Sequence, residues 1–294
     1  MAESVNALTP LEIGNAAGVR RALVEQGYAF LPGMLPIGSL KRLYDLAHQI
    51  METSGWLAAN GSVPVDSTIR AETYAKIQRA EVMHSTLNHP RLLSLLRAVL
   101  GEEVFCHPRK TFRFVPPNAV HETTQPHQDY PYIQGDVDTI TCWTPLHDVD
   151  FEDGPIRIVP ASHLNGLLPM KKVTGAGGYG VANPPEEGWV SGKFNRGDVV
   201  IFHSLTVHAA LPNLGNRFRL SMDSRYQGKG TSVNSEQLKP YPGAHGISTW
   251  EEIGSDWESL EPIIAPENAK QPFQAPSEAE IWHQELSVPP SRLF

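Results

Sequence analysis

The chain has 294 residues, of which 40% are hydrophobic and 19% charged, a composition typical of a globular protein with a sizeable core. Lysine and arginine total 24 against 32 aspartates and glutamates, for a formal net charge of −8, and an acidic surface disfavours binding to nucleic-acid phosphates. The two cysteines, Cys106 and Cys142, form no CxxC pair, which excludes a disulfide scaffold and a cysteine-rich zinc module. The sequence has neither a signal-peptide pattern nor an apolar run of about 18–20 residues. We therefore expect a cytoplasmic protein without a membrane span.

The first third of the chain is predicted to be mostly helical. Apolar residues at helical spacing predict helices over residues 18–26, 36–54 and 89–100. Pro90 in the first turn of the last helix and Gly101 just after its end fit the residue preferences of helix termini. Between the first two helices, residues 28–35 (YAFLPGML) are predicted to form a strand that ends at Pro-Gly.

After Gly101 the hydrophobic period changes to two, which predicts strands. The predicted strands cover residues 104–115, 138–146, 155–159, 198–203 and 217–226. Short strands separated by turn residues favour an antiparallel sandwich or barrel over a βαβ sheet. The sequence thus predicts an α+β fold in which a helical layer packs on a β core of about residues 104–226, within a single domain 1–294.

Two later segments have no clear period. Residues 171–192 are rich in glycine and proline and are predicted to form a mobile surface loop that could act as a lid. This loop contains GAGGYG (175–180), but Val-Ala-Asn-Pro-Pro follows and cannot open a helix, so a dinucleotide-binding loop is disfavoured. The tail 228–294 is polar, and its three tryptophans, Trp250, Trp257 and Trp282, are expected to dock it on the core.

Four side chains in two segments of the chain are candidates for binding a metal ion. His127 and Asp129 form an H-x-D, and on a strand residues i and i+2 point to the same side, so both can bind one ion. His203 and His208, at and just after the end of the predicted strand 198–203, each offer a second imidazole. Two histidines and one carboxylate form the facial set of non-haem Fe(II) oxygenases, which leaves coordination positions open for cosubstrates.

Several segments occur in an order that resembles the phytanoyl-CoA dioxygenase family of Fe(II)/2-oxoglutarate oxygenases, including microbial secondary-metabolite hydroxylases. These segments are PHQDYPYIQG, CWTPL, DGPIRIVPASH, RGDVVIFH and HAALPNLGNRFRLSMDSRYQ. The resemblance covers roughly residues 10–230. It implies a double-stranded β-helix (jelly-roll or cupin-like) core and a hydroxylation that consumes O2 and converts 2-oxoglutarate to succinate and CO2.

The resemblance also assigns roles to residues. It implies that His127, Asp129 and His208 bind iron, with His203 as the alternative for the third position. Arg219, eleven residues after His208, would hold the far carboxylate of 2-oxoglutarate. Further cosubstrate contacts are expected from Ser221, which shares the strand face of Arg219, and from Trp143 and Thr139 on the strand 138–146. Arg217 and Arg225 are the alternatives to Arg219, and Arg113 and Lys110 are candidates for substrate contact.

Fe(II), 2-oxoglutarate and O2 are therefore the expected cofactor and cosubstrates, and a small organic molecule is the expected substrate. Halogenating relatives lack the carboxylate ligand, so Asp129 favours hydroxylation, or a desaturation or rearrangement. A non-catalytic β-barrel binding protein with a structural metal would not need Arg219, and a zinc hydrolase would leave Arg219 without a role. The sequence does not indicate the substrate or the oligomeric state.

Overall fold

A computed structural model describes residues 6–55, 67–175, 177–241, 249–263, 267, 270–273 and 288–293. Its helices are α1 Ala16–Gln26, α2 Ile37–Thr53, α3 Ser67–Gln78, α4 Glu81–Leu87, α5 Pro90–Leu100, α6 Tyr130–Ile133 and α7 Trp250–Ile253. Three of these, α1, α2 and α5, coincide with the predicted helices to within two residues. The side chain of Asn15 caps α1, and Gly27 and Gly101 end α1 and α5 with left-handed backbone angles, a conformation that glycine adopts without strain.

Short strands make up most of the remaining regular structure. They are β1 Asn6–Ala7, β2 Tyr28–Leu31, β3 Val104–Cys106, β4 Thr111–Val115, β5 Ile140–Pro145, β6 Ile156–Ile158, β7 Met170–Lys172, β8 Tyr179–Val181, β9 Val190–Ser191, β10 Val199–His203, β11 His208–Ala210, β12 Arg219–Gly228, β13 Val233–Asn234 and β14 Lys270–Gln271. One sheet has the order β2-β10-β5-β12-β3, with β4 also paired to β12, and all of its pairs are antiparallel. A second sheet has the order β1-β9-β6-β11. The prediction of an α+β fold with antiparallel sheets is confirmed.

The six-stranded sheet is covered on both faces. Along β10, Val199 and Ile201 pack in the same apolar cluster as the helices, whereas Val200 and Phe202 pack in a second cluster with residues of the four-stranded sheet such as Ile158. Successive side chains of a strand point to opposite faces. The helices therefore lie on one face of this sheet and the four-stranded sheet lies on the other.

One predicted strand and the predicted loop differ in the structure. Residues 104–115 form two strands, because the pairing with β12 is interrupted by a bulge. Cys106 lies opposite Tyr226 and Thr111 opposite Asp223, so the four residues 107–110 face only two residues of β12. Residues 171–192 are not a structureless loop, because they contain most of the β7–β8 hairpin and β9. Gly175 of this hairpin has a packing reason, since a Cβ at this position would lie only 2.6 Å from the carbonyl oxygen of Thr123.

The tail docks on the core as expected from Trp250 and Trp257, whose rings lie 5.5 and 4.8 Å from the ring of His84. Trp282 lies outside the described residues. Near the chain end, Arg292 forms ion pairs with Glu102 and Asp136. Within the described part of the chain, no helix has the length and apolarity required to cross a membrane.

Candidate metal and cosubstrate site

Three potential metal ligands converge between the two sheets. One ligand atom from each of His127, Asp129 and His208 lies within 4.8 Å of the others, and all three residues are buried. Oδ1 of Asp129 lies 3.7 Å from Nε2 of His127 and 3.8 Å from Nε2 of His208. Two imidazole nitrogens and one carboxylate oxygen are a donor set suited to Fe(II).

The backbone brings the two histidines together. His127 and His208 form an isolated antiparallel bridge, in which each N–H donates to the carbonyl of the other at 2.9 and 3.0 Å. Their Nδ1 atoms lie 2.8 and 3.0 Å from the carbonyls of Gln125 and Thr206. Hydrogen bonds from protonated Nδ1 to these carbonyls leave the Nε2 lone pairs free for a metal.

The H-x-D segment is not the regular strand that we predicted. Asp129 has helical backbone angles and directly precedes α6, while only His127 makes the bridge to β11. The two side chains still converge because the chain turns into the helix at Asp129. The turn lets the carboxylate receive hydrogen bonds from the neighbouring sheet.

Asp129 is held as a carboxylate by neighbours on β5 and β12. The hydroxyl of Thr141 donates to its Oδ2 at 2.5 Å, and Nη2 of Arg225 lies 3.3 Å from both carboxylate oxygens. Burial alone would raise the pKa of Asp129, but Arg225, the two histidines and Thr141 hold it well below its usual value. Burial also lowers the pKa of His127 to about 3. The site thus offers neutral imidazole and ionised carboxylate, the protonation states that metal binding requires.

His203 lies elsewhere in the core. It is fully buried, its Nε2 lies 3.3 Å from Oδ1 of Asp138, and its Nδ1 accepts the N–H of Leu205 at 3.2 Å. The structure therefore brings His208, and not His203, to His127 and Asp129.

An inner cavity joins the three ligands to Arg219; Trp143, Phe202 and Ile156 also line it. Arg219 is 2% exposed. Its Nη1 donates to the hydroxyl of Ser221 at 3.2 Å, while its Nε and Nη2 are buried and have no hydrogen-bond partner among the described residues. Burial lowers the pKa of this guanidinium to about 9. A buried guanidinium fork with two unused donors fits a carboxylate.

The structure separates the other predicted cosubstrate residues. Trp143 lines the inner cavity. Ser221 contacts Arg219 and so orients it, without lining the cavity itself. Thr139 precedes β5 and donates its hydroxyl to the carbonyl of Asp136 at 2.7 Å, so its side chain lies outside the cavity. Thr141 occupies the position on the cavity wall that the sequence assigned to Thr139.

The sequence model of the phytanoyl-CoA dioxygenase (PhyH) family matches residues 23–221. This range covers about two thirds of the chain and includes the three candidate ligands and Arg219. The chain belongs to this family. The family resemblance drawn from the segment order is confirmed.

Curated relatives and solved structures extend the comparison of this PhyH-family chain. The 1-deoxypentalenic acid 11-beta-hydroxylases of Streptomyces arenae and Streptomyces exfoliatus are each 28% identical over 259 residues, which cover 80% of this chain and 88% of each relative. The apo non-heme monooxygenase ThoJ matches with a TM-score of 0.58 at 20% identity, over 73% of this chain and 79% of ThoJ. The epimerase SnoN in complex with Fe3+, alpha ketoglutarate and nogalamycin RO matches with a TM-score of 0.55 at 24% identity, over 75% of this chain and 86% of SnoN. These two structural matches show a shared fold.

Sequence reasoning underestimated two residues of this PhyH-family site. Arg225 was an alternative to Arg219, but it bridges Asp129 and Asp223. Thr141 lies on the same predicted strand as Thr139 and Trp143, and the sequence assigned it no role of its own. The available signal was the period of two along β12 and β5. It places Arg225 on the same strand face as Arg219, and Thr141 on the same strand face as Trp143. Lys110 is fully buried, and its Nζ donates to the carbonyls of His107 and Pro262, so it does not reach the site.

The substitution Thr141→Val is expected to weaken metal binding about 10- to 100-fold, the usual effect of losing a hydrogen bond that orients a ligand. Valine keeps the branched shape but cannot donate to Asp129. Thr139→Val makes the same change two residues away, outside the cavity, and should leave the metal affinity unchanged. Anaerobic Fe(II) titration of both variants measures the difference. Equal metal affinities of Thr141→Val and the wild type would contradict this role of Thr141.

Proposed function

We propose that this chain is an Fe(II)- and 2-oxoglutarate-dependent dioxygenase that hydroxylates an unactivated C–H bond of a small organic molecule of secondary metabolism. The observation that carries the proposal is the pairing of His127, Asp129 and His208 with an unsatisfied Arg219 at the end of the same cavity. A structural metal would not need this arginine. Membership of the PhyH family and similarity to two secondary-metabolite hydroxylases support the same activity.

In this proposal the protein supplies ligands, orientation and a dry cavity. His127, Asp129 and His208 would hold the iron, and the backbone carbonyls behind the imidazoles and Thr141 behind the carboxylate fix their orientation. Bound iron, 2-oxoglutarate and O2 together provide oxidative decarboxylation to succinate and CO2 and oxidation of the C–H bond. Arg219 would align the cosubstrate through its far carboxylate, and the apolar walls Trp143 and Phe202 exclude water.

We further propose that the two facing sheets form a double-stranded β-helix and that residues 1–294 make one domain. The path of the chain between the sheets supports the first point. Apart from the separate β7–β8 hairpin, the chain passes from β5 in the six-stranded sheet to β6 and β9 in the four-stranded sheet, back to β10, across to β11 and back to β12. Arg292 supports the second, because its ion pairs with Glu102 and Asp136 tie the end of the chain to the β core. The cytoplasmic location and the lack of nucleic-acid and membrane partners stay predictions.

The function is tested with purified protein under anaerobic conditions. Addition of Fe(II) and 2-oxoglutarate together is expected to give a weak visible charge-transfer band that neither gives alone. Admission of O2 with a panel of small substrates should then release succinate in an amount that depends on the substrate. Fe(II) binding without any spectral response to 2-oxoglutarate would instead favour a non-catalytic metal-containing binding protein.

A further inference from the structure

A second cavity adjoins two of the candidate metal ligands, His127 and Asp129, and is not lined by Arg219. This outer cavity has a volume of about 390 Å³ and shares His127, Asp129, Arg113 and Arg225 with the inner cavity. Its volume falls within the range of about 300–1,000 Å³ typical of small-molecule sites. Because Arg219, the proposed cosubstrate anchor, lines only the inner cavity, a substrate would reach the metal from the outer one.

Arg109 lines the outer cavity without an acidic partner. Its Nε and Nη2 donate to the backbone carbonyls of Lys239 and Pro240 at 3.0 Å each, and its guanidinium lies 5.0 Å from the centre of the Tyr241 ring. Within the described part of the chain, no carboxylate lies within 4.0 Å of it. Burial lowers the pKa of Arg109. These contacts fix the guanidinium in place. Its charge is only partly compensated, through the longer-range attraction of Glu236, a carboxylate that is itself ion-paired with Lys239.

Arg113 lines both cavities and is only partly used by the protein. Its Nε donates to Oδ2 of Asp223 at 2.6 Å, while its two terminal nitrogens form no hydrogen bond with the described residues. Asp223 is shared, because its other oxygen accepts from Arg225. The side chain of Arg113 is 23% exposed. The free end of this guanidinium can therefore bind a ligand.

The charges that line the two cavities do not balance. The arginines are Arg109, Arg113, Arg219 and Arg225, and the carboxylates are Asp129 and Asp223. Four positive charges thus meet two negative ones. A divalent metal and the 2-oxoglutarate dianion cancel each other, so the excess of two positive charges persists in the loaded site. Uncompensated charge in a largely desolvated site favours a ligand of opposite sign.

We propose that Arg109 and Arg113 form a carboxylate-binding subsite and that the substrate is a compact, mainly apolar organic acid. This inference rests on the proposed function, because it assigns a substrate class to the same site. The guanidinium groups bind the carboxylate, and Tyr132, Ile133 and Tyr241 line the cavity beside them. Anchoring at the two arginines, beside the ligands His127 and Asp129, would fix which C–H bond faces the metal.

The test uses a probe pair that differs only in charge, adamantane-1-carboxylate and its neutral amide, adamantane-1-carboxamide. Calorimetry is performed on the full chain with Zn(II), which is redox-inert, and 2-oxoglutarate, so that the inner cavity is filled and no turnover occurs. The wild type is expected to bind the acid at least about tenfold more tightly than the amide. Arg113→Gln and Arg109→Gln should each remove most of this preference while keeping the affinity for the amide.

Several controls separate lost charge from lost structure. Arg42 is exposed on α2 and lines neither cavity, so Arg42→Gln should keep the full preference. The amide reports whether the cavity is intact. If a glutamine variant also loses the amide, the matching lysine variant keeps the charge and should still prefer the acid.

Equal affinities of the wild type for acid and amide would overturn the subsite. So would a preference that survives both glutamine variants, or one that disappears only in Arg219→Gln, which would place the anion at the inner arginine. Failure of the proposed function would be seen separately, as absence of Zn(II)-dependent 2-oxoglutarate binding before the probe is added. The affinities for the acid and for the amide are measured whether or not 2-oxoglutarate binds.

Discussion

The substitution His208→Ala is expected to reduce Fe(II)-dependent succinate release to background. It removes one of the three candidate ligands, and in the described residues no other histidine, cysteine or acidic side chain is placed to replace it. Iron affinity should fall in parallel, measured by anaerobic titration. The melting temperature checks that the fold is retained.

His203→Ala is the matched control, because both histidines are buried and lie five residues apart. His203 bonds Asp138, which also accepts hydrogen bonds from Ser291 and from the backbone of Arg292. Its loss should lower stability by about 1–3 kcal/mol, the cost of leaving a buried partner unsatisfied, and leave iron affinity unchanged. An active His208→Ala with an inactive His203→Ala would show that the ligand assignment is wrong.

Much of the fold could be predicted from the sequence because its local signals agree with its packing. Helices α1, α2 and α5 carry apolar residues at helical spacing, and two of them end at glycines with positive φ. Helices α3 and α4 were missed for different reasons. The sequence of α3, STIRAETYAKIQ, has no clear apolar stripe at helical spacing. Helix α4 has only seven residues and is shorter than the window in which a helical period can be recognised. The break between β3 and β4 is visible only in the register, because residues 107–110 face just two residues of β12.

Only part of the candidate site could be predicted from the sequence. Residue types and spacing were enough to single out His127 and Asp129, but they left both His203 and His208 open for the third position. The family resemblance favoured His208. The roles of Thr139 and Thr141 could not be separated, because alternation places both on one face of a strand. Only the start of β5 at Ile140 shows that Thr139 belongs to the preceding turn, where Asp136 occupies its hydroxyl.

Arg217, Arg219 and Arg225 posed the same problem, because all three occur at intervals of two or multiples of two. The structure gives each a different surrounding. Arg217 pairs with Asp153 and is half exposed, and Arg225 is bound by two aspartates. Among the described residues, Arg225 leaves only its Nε without an acceptor, whereas Arg219 leaves both Nε and Nη2 unused on one buried edge. This two-donor edge singles out Arg219 as the arginine available to a cosubstrate.

The substitution Arg219→Lys is expected to lower the affinity for 2-oxoglutarate by at least about tenfold. Lysine keeps the charge but loses the two-pronged geometry that a guanidinium offers to a carboxylate. Breaking such a buried pair costs about 2–5 kcal/mol, which corresponds to roughly 30-fold to several thousand-fold at about 1.4 kcal/mol per factor of ten. The lysine ammonium still attracts the carboxylate and recovers part of this free energy, so the expected minimum loss of affinity, about tenfold, lies below the limit of roughly 30-fold. Titration of the charge-transfer band with 2-oxoglutarate measures the loss.

Iron affinity should change little in Arg219→Lys, because Arg219 is not among the candidate ligands. The cosubstrate analogue 2-oxopentanoate has no far carboxylate and should be affected much less than 2-oxoglutarate. Arg217→Lys, the same change two residues away in a residue paired with Asp153, should leave both affinities intact. Equal losses for the two 2-oxo acids, or a loss in Arg217→Lys and none in Arg219→Lys, would assign the carboxylate to another arginine. Because the two acids present the same metal-chelating end, their difference measures the arginine contact separately from any change at the metal.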